Sequence, residues 1–252
     1  MDPHDQAVSR AFDATAAVFE RGTLQTDPAA LRRLVAFAAL PPGARVLDAG
    51  CGPGLVAEAF LEAGCRVAGV DLSAEMIARA RLRCACFGER ARFEHGSLDA
   101  LAAEGAFDAA VSRLVLHHVP DPLAFLVAQV ARMRPGGVVV AADHAGDPDP
   151  EGARWHQEIE RARDTTHTRN LTSGEIADLF ARAGLVSVSL VEDAAPLDFD
   201  EWYERGTPAL GKDEVRRMLL AGRSRAFDPV PRADGGVTIG IVQALVRGVK
   251  AA

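Results

Sequence analysis

Residues 46–54 read VLDAGCGPG and residues 67–71 read VAGVD. An apolar run, a tight glycine turn, a helix and a second apolar run ending in an acid form the pattern of a βαβ unit that binds a nucleoside-bearing cofactor. Both runs are short and valine-rich, with no polar alternation, as strands of a parallel sheet buried on both faces are. Between them, Leu55 to Ala63 spaces its apolar residues helically and stops at Gly64. This stretch restricts the fold to an open α/β sheet and puts a ligand at the turn.

The glycine spacing separates cofactor classes. A dinucleotide fingerprint is G-x-G-x-x-G, which seats a pyrophosphate on the helix N-terminus. Here Gly50, Gly52 and Gly54 give G-x-G-x-G, and Pro53 removes a backbone N–H that a phosphate would use. Gly50 and Gly52 let a ligand approach the main chain closely, and Gly54 keeps side-chain bulk away from the helix entry. Asp48, two residues before the turn, disfavours a polyanion and suits a ligand with a positive or zwitterionic portion. On these residues the chain resembles motifs I and II of the class I S-adenosylmethionine-dependent methyltransferases. The resemblance implies that the loop from Asp48 through Gly50, Cys51, Gly52 and Gly54 wraps the methionine portion. It also implies that Asp71 bonds both ribose hydroxyls, with Leu72 and Met76 beside it, and that S-adenosylhomocysteine is the product.

With 252 residues, 48% hydrophobic and 25% charged, the chain can bury one substantial core with a small accessory lid. The opening MDPHDQAVSR is charged, and no stretch has the length of a membrane span, so a cytoplasmic enzyme with no membrane partner is expected. Cys51, Cys65, Cys84 and Cys86 show no C-x-x-C spacing and are read as reduced thiols. No H-x-x-H or acidic cluster calls for a metal. A net charge of −7, without a basic block interleaved with aromatics, points away from nucleic acid and toward a small-molecule acceptor.

Strand and helix continue to alternate. Ser73 caps a helix from about Ala74 to Cys86, and Arg92 to His95 is a third strand. In the loop after it, Ser97 stands where the resembled family has an aspartate for the adenine amino group. Leu98 offers a backbone N–H and an apolar wall, and Asp99 either reaches the ring or caps a helix. Phe107 to Ser112 is the fourth strand. Ligands in open α/β sheets sit outside the carboxyl ends of strands, so Ser112, Arg113 and the residues to His118 lie at the mouth of the cofactor site. The string SRLVLHHVPDP resembles the same region of UbiE-like methyltransferases, with Arg113 meeting the methionine carboxylate or shaping the acceptor side.

A neutral imidazole can take a proton from an acceptor, so His117 or His118 is the candidate general base. Adjacent residues face different ways, so one at most points at the acceptor. The alternative is an imidazole bonded to backbone carbonyls that holds the loop. After RMRPGGVVV, the fifth strand ends in Asp143 and His144, again on the ligand face. A Pro/Gly/Asp linker follows, then a helix from Ala153 to Arg163, a polar stretch and a capping box, Thr172-Ser-Gly-Glu175. Insertions at this place commonly cover a substrate. Trp155, His156, His167 and Arg169 are therefore acceptor-site candidates, with Asp143, His144, His117, Phe19 of an N-terminal helix, and Trp202.

Leu185 to Val191 is a sixth strand and Val237 to Val246 a seventh. The expected architecture is an α/β, Rossmann-like, seven-stranded, mostly parallel sheet with helices on both faces and a small helical lid from insertions after strands 5 and 6. A single domain spans 1–252, with a helical cover at 1–29, a cofactor core at 30–192, a lid at 193–236 and a final strand at 237–252. The expected activity is methyl transfer from S-adenosylmethionine to carbon, oxygen or nitrogen of a small molecule, in secondary or quinone metabolism. Two other readings stay open: a protein that holds the same cofactor for another reaction such as cyclisation, and a nucleotide-dependent oxidoreductase. The glycine spacing and Pro53 oppose the second.

Overall fold

In the computed structural model, which describes residues 3–101 and 105–251, eight strands form one sheet. Five are parallel: β1 (Arg45–Ala49), β2 (Arg66–Asp71), β3 (Ala91–His95), β4 (Phe107–Arg113) and β5 (Met133–His144), in the order β3-β2-β1-β4-β5. Helices on both faces bury them, which is why Val46, Leu47, Ala49, Ala110, Val139 and Val140 are at most 1% exposed and do not alternate with exposed residues. The order reverses between β1 and β4, and the crevice outside their carboxyl ends is where such a sheet binds ligands.

The flanking helices are α1 (Pro3–Phe19), the single turn α2 (Thr23–Thr26), α3 (Pro28–Ala38), α4 (Leu55–Glu62), α5 (Ala74–Arg83) and α6 (Pro122–Arg132). Ser73 caps α5 as its position requires, accepting from Met76 N at 3.1 Å. The helix ends at Arg83, three residues earlier than its apolar spacing indicated, and a separate turn covers 85–90. Gly54, at φ +84°, begins α4, and a Cβ there would stand 3.0 Å from the Cα of Ala80. This glycine lets α4 and α5 pack closely.

Beyond β5 lie α7 (Pro150–Arg163), α8 (Ser173–Arg182), β6 (Leu185–Asp198), α9 (Phe199–Glu204), α10 (Lys212–Leu220), β7 (Phe227–Pro231) and β8 (Val237–Lys250). The strands here differ from the expected ones. β6 runs seven residues past Val191, through a stretch with Pro196, and pairs with β8 along almost its whole length. As the sheet's outer strand it tolerates a proline. The 193–236 segment is accordingly not wholly helical: it carries the end of β6 and all of β7.

β8 is shared. Gln243–Val249 pair with β5, and Val237–Ile241 pair with β7, which takes over the edge where β5 ends. The buried-outward alternation of Val237, Ile239 and Ile241 feeds a second hydrophobic core with Leu24, Ile159, Leu197, Phe199, Trp202, Val215, Leu219 and Phe227. Trp202, expected at the acceptor site, belongs to this core. It is 1% exposed, 5.4 Å from the Phe227 ring and 5.0 Å from the Arg163 guanidinium. Trp202→Ala is expected to lower unfolding stability by about 3–5 kcal/mol; an unchanged urea midpoint would contradict its placement.

Candidate active site

A cavity of about 340 Å³ opens outside the carboxyl ends of β1, β2 and β4. Its floor is Gly50, Gly52, Asp71 and Leu72, its walls include Met76, Ser97, Leu98, Asp99, Arg113, Leu114 and Val115, and α1 roofs it with Val8, Phe12 and Phe19. A Cβ on Gly52 would meet nothing within 4 Å, so the missing side chain leaves room for a ligand against the main chain. Asp71 Oδ2 accepts from Gly52 N at 2.8 Å and Oδ1 from Ser73 N at 2.9 Å. Each oxygen keeps a lone pair. Burial pushes the Asp71 carboxyl above its ordinary range, although these N–H groups oppose the shift.

Four residues expected to touch a cofactor lie behind the wall. The Cys51 side chain packs into the main core near Gly69, and its N–H donates to Val70 O at 3.0 Å. Burial raises its thiol well above the usual value. Gly54 faces Ala80. Ser112 is 2% exposed and its hydroxyl has no partner among the described residues. Asp48 is 1% exposed, and burial beside the Asp71 charge raises its pKa to about 8. At the other end, the Ser97 hydroxyl accepts from Asp99 N, and the exposed Asp99 carboxylate pairs with Arg132 at 3.1 Å. Asp99 is thus not a helix cap.

The roof is held by named contacts. Asp13 accepts from Ser73 Oγ at 2.6 Å and from Glu75 N, Glu20 pairs with Arg79 and Arg83, and His4 Nε2 donates to His118 O at 2.7 Å. Arg113 donates to the carbonyls of Leu24 and Gln25, tying α2 to the end of β4, and burial lowers its pKa to about 10. Leu114 and Val115 fall in the Ser112–His118 stretch expected at the mouth of the site, and Val8 and Phe12 in the helix expected to cover it, though none of the four stands out individually as a ligand contact. The helical spacing of Phe12 and Phe19 was the signal available for the first two.

Next to the cavity, the turn after β4 is organised by Asp143 at the end of β5. Its Oδ2 accepts from Val115 N at 3.0 Å and Leu116 N at 2.6 Å, and its Oδ1 from His144 N at 2.7 Å. His117 Nδ1 lies 2.5 Å from Oδ1 and carries the hydrogen, because the carboxylate can only accept. Leu114 adopts φ +59°, a conformation unusual for a branched residue, and this clamp holds it there. Burial opposes the Asp143 charge, but His117 and the donated hydrogen bonds lower its pKa to about 2.

Around the His117 ring stand His118 at 4.2 Å, His144 at 5.4 Å and His167 at 5.7 Å. Thr166 Oγ1 gives its hydrogen to Asp164 at 2.6 Å and so accepts from His118 Nδ1 at 3.0 Å. Burial and the neighbouring His117 push His118 down to about 3 and His144 to about 3, and burial pushes His167 to about 2. His117 alone of the four moves up: the Asp143 carboxylate outweighs burial.

The remaining acceptor candidates are dispersed. His156 is buried against the Phe227 ring at 4.2 Å and Glu160 at 3.4 Å. Trp155 donates to Met218 O on an outer groove, and Arg169 is exposed and paired with Glu175. None of these three lines the cavity.

The methyltransferase-domain family matches residues 24–190. The chain is 31% identical over 199 residues, 72% of its length and 77% of the relative's, to a ubiquinone biosynthesis O-methyltransferase of Xanthomonas axonopodis pv. citri. It is 31% identical over 188 residues, 73% of its length and 74% of the relative's, to the uncharacterized methyltransferase YcgJ of Bacillus subtilis. The crystal structure of YcgJ superimposes with a TM-score of 0.78 at 25% identity, covering 88% of this chain and 98% of that one.

The histidine environment makes stability pH-dependent. His118, His144 and His167 have depressed pKa values in the fold, so below about pH 6.5 the unfolded chain binds protons the folded one refuses. Each removes up to about 1.4 kcal/mol per pH unit from there down toward its folded value. His117 acts oppositely and above pH 6.5: its contribution is complete below that pH and is lost as pH rises through its raised folded value. The urea midpoint is therefore expected to fall steeply from pH 6.5 to 5; a flat profile would contradict the burial of three neutral imidazoles.

Proposed function

The chain belongs to the methyltransferase-domain family, and on that premise we propose that it moves the methyl group of S-adenosylmethionine to a small, largely apolar acceptor. The observation that carries this reading is the cavity at the β1/β4 switch, with Gly52 open beneath it and a ribose-competent carboxylate, Asp71, in its floor. Its volume suits one ligand of drug size. The donor, when bound, supplies a sulfonium-activated methyl group for in-line displacement.

The chain's own residues supply binding, orientation and exclusion of water. Asp71 offers one free lone pair per oxygen to the two ribose hydroxyls. Met76, Leu72 and Leu98 give apolar walls for the base. Arg113, anchored on two backbone carbonyls, retains hydrogens for the methionine carboxylate. The roof of Val8, Phe12 and Phe19 closes the space, so that an acceptor is held against the donor and aligned with it. An acceptor read by these walls is a small molecule rather than a nucleic acid, in keeping with the net charge of −7. The 31% identity to an O-methyltransferase favours oxygen as the atom methylated.

Titration calorimetry is expected to show binding of S-adenosylmethionine and none of NAD; tight binding of NAD alone would overturn the reading. Asp71→Ala should weaken S-adenosylmethionine by about ten- to a hundredfold, because two hydroxyls lose a charged acceptor. An unchanged dissociation constant would remove Asp71 from this role.

A further inference from the structure

The single turn α2 is held from two sides. Arg113, in the cavity wall, donates through Nη2 to Leu24 O at 2.6 Å and through Nη1 to Gln25 O at 2.9 Å. From the second core, α9 grips the same turn. Glu201 Oε1 accepts from Thr23 N at 2.7 Å and its Oε2 from the Thr23 hydroxyl at 2.6 Å. Arg205, the residue that ends α9, donates through Nη1 to Gln25 Oε1. Gly22 leaves room for that contact, because a Cβ there would overlap the Gln25 amide and stand 3.1 Å from Arg205 Nη1. Arg205 is 4% exposed, lies 3.6 Å from Glu201, and its Nε has no partner among the described residues. Burial lowers its pKa to about 10. A guanidinium sunk beside an apolar core costs stability that a hydrophobic side chain of similar volume does not, so packing alone does not account for it. Neither Glu201 nor Arg205 lines the cavity.

We infer that Glu201 and Arg205 are positioning residues for the methyl donor: through α2 they place the two carbonyls that aim Arg113 at the carboxylate of the methionine portion. This rests on the methyl-transfer reading above and on Arg113 as the partner of that carboxylate. A guanidinium has five hydrogens in one rigid plane. With one taken by Leu24 O and one by Gln25 O, the directions of the other three are fixed by where those carbonyls stand. A shift of α2 turns the fork and carries the amino-acid end of the donor with it. A displacement of about 1 Å is enough to spoil alignment for in-line displacement. The segment after β6 thereby acts on the cofactor without touching it, by way of Thr23, Gln25 and Arg113.

Two ligands that share adenine, ribose and sulfur test this: S-adenosylhomocysteine carries the amino-acid portion, and methylthioadenosine lacks it. Their dissociation constants are measured by calorimetry at a temperature where circular dichroism shows each variant folded. Arg113→Gln sets the scale: it should weaken S-adenosylhomocysteine by about ten- to a hundredfold and leave methylthioadenosine within about twofold. Glu201→Ala and Arg205→Met should each weaken S-adenosylhomocysteine by about three- to tenfold and leave methylthioadenosine unchanged. In the Arg113→Gln background they should add nothing further, because residues that act through one another are not additive. Glu201, with its side chain 22% exposed, keeps the test in reach if Arg205→Met does not fold. Equal weakening of both ligands, weakening of neither, or losses that add to that of Arg113→Gln would overturn the proposal. If Arg113→Gln treats the two ligands alike, Arg113 is not the carboxylate's partner and the proposal falls with it. Failure of the parent to bind S-adenosylhomocysteine would instead overturn the methyl-transfer reading itself.

Discussion

One buried carboxylate gathers the ends of the central strands. Asp143 receives hydrogens from Val115, Leu116, His144 and the His117 ring, and through them fixes the turn that leaves β4. A charged group this deep persists because every nearby donor is aimed at it. The left-handed Leu114, the cavity wall at Val115 and the ring orientation of His117 all follow from that convergence. The loop after α7 completes it: the N–H groups of Thr168 and Arg169 and the Thr168 hydroxyl donate to His117 O, so the turn is gripped from both sides.

The parts of this arrangement that depend on neighbours in sequence were legible. A strand, a glycine turn and a helix obey local rules, and the acid ending the second strand sits beside the turn because the strands are parallel and in register, with Asp48 opposite Gly69. The resemblance of that stretch to motifs I and II is upheld by the family match over residues 24–190. The local reading of Gly52 as a point of ligand approach and of Gly54 as a bare helix entry agrees with their placement: Gly52 opens on the cavity and Gly54 admits Ala80.

Where packing partners are far apart in sequence, the reading failed in instructive ways. Tryptophan and histidine in a polar insertion suggested ligand contacts, but Trp202 and His156 are apolar and hydrogen-bonding components of the core beneath the insertion. The end of β6 has little strand propensity and becomes a strand because β8 offers it a ladder. His117 and His118 are adjacent and chemically identical, and their opposite titration shifts come from Asp143, 26 residues from His117, which raises the one, and from burial of the other beside the His117 charge, against the opposing hydrogen bond of Thr166.

The sharing of β8 between two cores has an architectural consequence. One half of this strand closes the cofactor sheet beside β5, and the other half is the spine on which the insertion packs. The insertion is therefore not an interchangeable cassette hung on a Rossmann-like scaffold. Grafting residues 193–236 onto another core would leave Val237, Ile239 and Ile241 behind, and the transplanted helices would have no floor. Divergence of such a chain toward new acceptors falls instead on α1 and the turn after β4, which line the cavity, because residues 193–236 do not line it and are tied to the strand that closes the sheet.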